Sequence, residues 1–303
     1  MVIFYVIARH ADYGLTEHVA HWVSTPFFND HTAYAASLSM FIPPLIALGS
    51  LPDYRRKFKI LAWVCAGLLT VAVILSYTRA AWLSLAVAFA LMIIFWLRIK
   101  FKTVLILTAA GLCVLAMFQT DLLMKLKKNR QDSSTSYTKH LESITNISTD
   151  ASNLERLNKW HAALRMFRER PLVGWGPGTY MFEYAPFQLS EDKTVISTNM
   201  GNLGNAHSEY IGPLAESGIP GLVTFLLILI AVSYRSILLI SYSKSRELRI
   251  IVTGIYLGLV TYFVHGTVNN FLDTDKASVP FWGFLAILTA IDLYHREKVE
   301  GKE

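Results

Sequence analysis

Charge is scarce in this sequence. Only 17% of its 303 residues are charged, against 53% hydrophobic, and that balance excludes an ordinary soluble domain. Cysteine is nearly absent. Cys65 and Cys113 both lie inside apolar runs, where a thiol behaves as a small buried hydrophobe, and no disulfide framework is implied. There is no phosphate-binding loop, no zinc-ligand spacing and no serine nucleophile elbow. No internal repeat is visible. The opening MVIFYVIA is short and has no basic flank before it, so it does not read as a secretory signal.

What is present is long apolar runs. They are continuous rather than alternating, which points to membrane-spanning helices and not to a barrel. The expected class is all-α, a polytopic helical membrane protein. Seven spans are expected, at 33–51, 60–78, 80–97, 103–118, 213–240, 250–271 and 278–294. The run from Ile60 to Leu97 would be about 57 Å long as one helix, against a hydrocarbon core of about 30 Å. It must fold back, and Arg79 in SYTRAAWLSLAV marks the turn.

Basic clusters set the orientation. Arg55, Arg56, Lys57 and Lys59, then Arg98, Lys100 and Lys102, then Lys244, Arg246 and Arg249, then Arg296, Lys298 and Lys302 all fall on one side. By the positive-inside rule that side is cytoplasmic. The chain then divides into an external N-terminal segment (1–32), a four-helix membrane part (33–118), an external loop (119–207) and a three-helix membrane part (208–303). The loop opens on a polar, Ser/Thr/Asn-rich stretch. In NLERLNKWHAALRMFRER, Leu154, Leu157, Trp160, Leu164 and Phe167 recur at spacings of three and four, the pattern of an amphipathic helix. Asn153 is its expected N-cap and Pro171 its stop, with the GWGPG turn following.

Arg79, Arg156 and His207 fall on the external side. Alone, Arg79 also fits an interface anchor, Arg156 a solvated helix face and His207 a capping residue. Gly212, Gly218 and Gly221, with Pro213 and Pro220, point to a broken or re-entrant start of the fifth span. His31, His265, Asn269 and Asn270 are weaker candidates, because helix–helix hydrogen bonding also explains them. DTD at 273–275 has the spacing of a metal–nucleotide-sugar motif, but it is three residues in a short loop.

Taken together, SYTRAAWLSLAV, ERLNKWHAALRMFRERPLVGWGPGTY and HSEYIGPLAESGIPG resemble segments of the O-antigen ligase/O-antigen polymerase superfamily of bacterial membrane glycosyltransferases. TPFFNDHTAYAASLSMFIPPLIAL resembles the helix that precedes them. The resemblance runs from about Thr25 to the C-terminus. It implies transfer of a glycan from a polyprenyl-diphosphate carrier to a hydroxyl of a lipid, glycan or protein acceptor, in lipopolysaccharide or polysaccharide assembly. The place implied is the periplasmic face of the bacterial inner membrane, among its lipids. The roles implied are His207 as general base, Arg79 and Arg156 as catalytic diphosphate ligands, and Trp160, Gly174 and Gly176 as further substrate contacts. No metal, cofactor, nucleotide sugar or nucleic acid is called for. Two features depart from the pattern. Relatives usually have about twelve spans, so about five N-terminal helices are expected to be missing, and an inactive fragment is one reading. The ligase pattern Arg-x-x-x-Leu reads Arg156-x-x-x-Trp160, which leaves ligase and polymerase both open. A non-enzymatic transporter of the same lipid is the other alternative.

Overall fold

The computed structural model describes residues 1–97, 154–194, 197–199 and 205–300. The expected span at 103–118, Asn153 and the second basic cluster lie outside these. The described chain is helical: α1 (Val2–Asp12), α2 (Glu17–Val23), α3 (His31–Gly49), α4 (Arg56–Leu75), α5 (Arg79–Trp96), α6 (154–169), α7 (Tyr180–Glu183), α8 (Ile211–Tyr242), α9 (Arg246–His265) and α10 (Asp275–Glu300). Six of them, α3, α4, α5, α8, α9 and α10, are long and apolar enough to cross a membrane. The molecule is a polytopic helical membrane protein.

α9 is the centre of the bundle and packs against α3, α5, α8 and α10. Small residues make the close approach to α3 geometrically feasible. A Cβ at Gly254 would meet the Ala47 Cβ at 2.3 Å, and one at Gly258 would meet the Met40 carbonyl oxygen at 2.5 Å. α3 carries Pro43 and Pro44. Pro44 has no N–H to give Met40, four residues back, and Gly258 fills the space beside that freed carbonyl.

The Ile60–Leu97 run does fold back. α4 ends at Leu75 and α5 begins at Arg79. The turn between them is tied down by the Ser76 hydroxyl and the Trp82 indole, which both donate to the Val73 carbonyl (2.6 and 3.1 Å). The fifth span is broken as expected. As one rod α8 would be about 48 Å long, but Gly218 interrupts it at φ 65, ψ −159. The stretch from Ile219 to Tyr242 is about 36 Å, enough to span.

The sixth span stops earlier than its apolar run suggests. α9 ends at His265 because Glu209 captures the chain beyond it. The Glu209 carboxylate accepts from the Phe271 and Leu272 N–H groups (2.7 and 2.9 Å) and from the Tyr262 hydroxyl (2.5 Å). His265 is therefore the last residue of the span.

Candidate active site at the loop-side membrane face

Four elements converge here. They are the N-terminus of α3 with Asp30 and His31, α6 with Arg156, the 205–210 loop with His207, and the C-terminus of α9 with His265. The charges of Arg156 and Asp30 act on all three histidines.

Each element has a local reason to be there. Asp30 caps α3, accepting from the Ala33 N–H (2.7 Å) and the Thr32 hydroxyl (2.6 Å). His207 is held at φ 47, a left-handed conformation that costs a non-glycine residue about 1–2 kcal/mol. Neighbours impose it. The His207 N–H donates to Asn205 Oδ1 (3.0 Å), and the Trp160 indole donates to the His207 carbonyl (3.4 Å). Two residues on, the Glu209 N–H donates to the Gly266 carbonyl (2.8 Å). The histidine is thus clamped between α6 and the end of α9.

α6 is braced by a buried polar network. Lys159 is only 2% exposed. Its ammonium lies 3.3 Å from Glu155 and 3.7 Å from the centre of the Tyr184 ring. The Thr194 and Ser197 hydroxyls donate to the second Glu155 oxygen. Arg165 pairs with Asp192 (2.5 Å). Lys159 and Arg165 are therefore engaged, while Arg168 and Arg170 are exposed.

The GWGPG turn docks on the broken helix. The Trp175 and Gly176 N–H groups donate to the Ala215 and Glu216 carbonyls (3.1 and 2.7 Å), and Ile219, just past the break, donates to the Pro171 carbonyl (2.8 Å). Gly174, at φ 65, is required by proximity: a Cβ there would stand 2.3 Å from the Glu216 backbone.

Burial, with Arg156 and Lys159 next in weight, lowers the His207 pKa to about 4, against the opposing charges of Glu155 and Asp30. The ring is neutral at ordinary pH, and the same burial makes it a weaker base than an exposed imidazole. Burial also lowers the Arg156 pKa, and Asp30 opposes it. Burial raises the Glu209 carboxyl, and its hydrogen bonds oppose that.

Of the residues expected from sequence, Arg156, Trp160 and His207 come together. Arg79 stands exposed at the start of α5, with no hydrogen bond or ion pair among the described residues. Its turn is tied to the site, since the Thr78 hydroxyl donates to the His31 carbonyl (3.4 Å). Gly174 and Gly176 hold the turn against Glu216. The sequence reading missed Asp30 and Glu209. The one signal available was position, Asp30 just before an apolar helix and Glu209 two residues after His207.

The O-antigen ligase family pattern matches residues 64–226. That is more than half of the chain, and it spans the α4–α5 hairpin, α6, His207 and the broken start of α8. The chain belongs to the O-antigen ligase family. A comparison with curated proteins finds no match. Membership brings O-antigen ligase-type glycan transfer to this membrane protein as its general activity.

Proposed function

We propose that the chain transfers a glycan from a polyprenyl-diphosphate carrier to an acceptor hydroxyl at the loop-side, periplasmic face of the inner membrane. The observation that carries this reading is the convergence of a neutral, clamped histidine and a half-buried arginine where a span meets the membrane surface. The acceptor oxygen forms a bond to the anomeric carbon, and the bond from that carbon to the diphosphate oxygen breaks. The diphosphate leaves with the electron pair. The acceptor proton passes to His207, which is neutral and so able to take it. Arg156 faces the charge that grows on the leaving group, and a guanidinium suits a diphosphate because it binds two oxygens in one plane. Arg79, exposed on the neighbouring hairpin, is the second arginine assigned to the diphosphate in this reading. The chemistry asks for no metal, since two arginines supply the positive charge.

His207→Ala and Arg156→Lys test this, with labelled polyprenyl-diphosphate glycan as donor. His207→Ala is expected to keep donor binding and lose transfer by about 10²–10⁴-fold, the usual worth of a positioned acid–base group. Arg156→Lys is expected to accumulate normally and lose most transfer, because a point charge does not replace the planar fork. Full transfer by either variant overturns the role assigned to that residue.

A further inference from the structure

α6 is mixed on both sides. Its protein-facing side buries Glu155, Asn158 and Lys159 together with Ala162, Ala163 and Met166. Its opposite side carries Leu154, Leu157 and Leu164, which are 51%, 44% and 37% exposed, and, in the same stripe, the exposed His161 and Arg168. The turn after the helix continues that apolar surface, with Leu172 69% and Val173 76% exposed. A patch of this kind on a rigid element marks a surface with an apolar partner.

The depth of the patch identifies the partner. The Pro171 carbonyl accepts from the Ile219 N–H (2.8 Å), and Ile219 opens the straight part of α8. From there an exposed apolar stripe runs down the span through Ile219, Val223, Leu227, Ile230 and Tyr234. Successive members are three or four residues apart, so they share one helix face, and that face meets lipid. The exposed Leu172 and Val173 follow directly on the residue that bonds the top of this stripe. Arg168 and Arg170, both exposed, precede the turn with the exposed Glu169 between them; the Arg170 guanidinium stacks on the Trp175 ring at 3.9 Å, and Arg168 complements phosphate headgroups.

We infer that α6 and the 171–173 turn form an interfacial element seated in the loop-side leaflet of the bilayer, leucines and Val173 in the acyl boundary and Arg168 among the headgroup phosphates. Leucines facing out at the level where a span begins are what a helix lying in the interface plane presents to the acyl boundary. The seating sets the height of Arg156, which rides on the same helix, at the level of the headgroups. That consequence for the donor rests on the proposed function; the seating itself does not.

The test uses the full chain with Cys65→Ala and Cys113→Ala, reconstituted in phosphatidylethanolamine–phosphatidylglycerol vesicles. Single cysteines at Leu164 and Leu172 carry a bimane probe. Asp53→Cys, in the exposed α3–α4 turn, is the aqueous control, and Leu227→Cys is the deep control. At 164 and 172 a nitroxide near the top of the acyl chain should quench about twofold or more, a nitroxide deep in the chain should quench less, and aqueous iodide should have little effect, as for an element buried about 5–10 Å into the interface. Iodide quenching equal to that at position 53 would place the surface in water. Protection from both quenchers would mean that protein covers it. Either result overturns the inference, whatever the protein's transfer activity.

Discussion

α3 and α9 bury 56% and 61% of their span residues inside the protein, whereas α4 and α5 bury 28% and 17%, yet α4 and α5 are the more apolar pair. In water the order would be reversed, because the apolar helix would seek the core. Here lipid is the solvent, so burying leucine gains little, and the interior is assembled by close approach and hydrogen bonding instead. α3 and α9 supply prolines, glycines, serines and tyrosines for that purpose. α4 and α5 supply Trp63, Val64, Leu83 and Phe89 to the outside. α6 shares part of this pattern although it spans nothing. It buries Glu155, Asn158 and Lys159 beside Ala162, Ala163 and Met166, while Leu154, Leu157 and Leu164 face away.

The sharpest way to break the comparison is within α6 itself. Lys159→Met keeps the bulk of the side chain and removes its charge. Glu155 then loses its ionic partner inside the protein, and removing one member of a buried pair costs about 3–5 kcal/mol. The hydroxyls of Thr194 and Ser197 on Glu155 place the expected loss toward the lower end. The measurement is thermal or denaturant unfolding in detergent. No change on Lys159→Met would mean that the buried polar residues of α6 do not hold it in place.

The hydrophobic runs made most of the membrane architecture legible. The hairpin at Arg79 and the break near Gly218 could also be read, one from a run too long to span and the other from clustered Gly and Pro. Arg156 and His207 are proposed from residue type and family resemblance, and what the structure adds is their proximity, through the Trp160 indole on the His207 carbonyl and the Arg156 charge acting on His207. The rest depends on partners far apart in the chain. Glu209 matters because of Tyr262, Phe271 and Leu272, and Lys159 because of Tyr184. The spacing of Leu154, Leu157 and Leu164 establishes a two-faced helix. Spacing does not say which face is covered, because that depends on whether the surroundings are water or lipid.

The contrast between centre and rim yields a second prediction. Gly258→Leu in α9 forces a side chain toward the Met40 carbonyl oxygen, whereas a Cβ at Gly67 in α4 meets nothing within 4 Å. Gly258→Leu should therefore destabilise by about 1–3 kcal/mol, the ordinary range for overpacking. Gly67→Leu should stay within about 0.5 kcal/mol, as a substitution on an uncrowded outer face does. Comparable losses at the two sites would remove the distinction between packed centre and lipid-facing rim.

The site adds a smaller effect that acts through pH. His207 has a folded pKa of about 4 and an unfolded value near 6.5. Between those values the unfolded chain binds more protons, so the stability contribution is complete above about pH 6.5 and falls as pH drops toward 4. Under the proposed mechanism transfer has a different profile, since His207 stays neutral until pH nears 4. Activity should hold between pH 7 and 5 while the melting temperature already declines, and His207→Gln should flatten part of that decline. An activity midpoint near pH 6.5 would show that His207 is solvated like an exposed histidine.

The smallest effect is expected on the leucine face of α6. Leu157→Gln adds a polar group where the side chain is 44% exposed and contributes little to the protein's own packing. In detergent its unfolding should shift by no more than about 0.5 kcal/mol, the usual limit for a surface position. The same residue type behaves otherwise in a core, where truncating a leucine costs about 2–5 kcal/mol. Leu259 in α9 is fully buried, and Leu259→Ala should show that larger loss. The pair compares one residue type on two helices of one protein. If Leu157→Gln costs as much as Leu259→Ala, the outer face of α6 is covered by protein, and the pattern that links α6 to the lipid-facing hairpin does not hold.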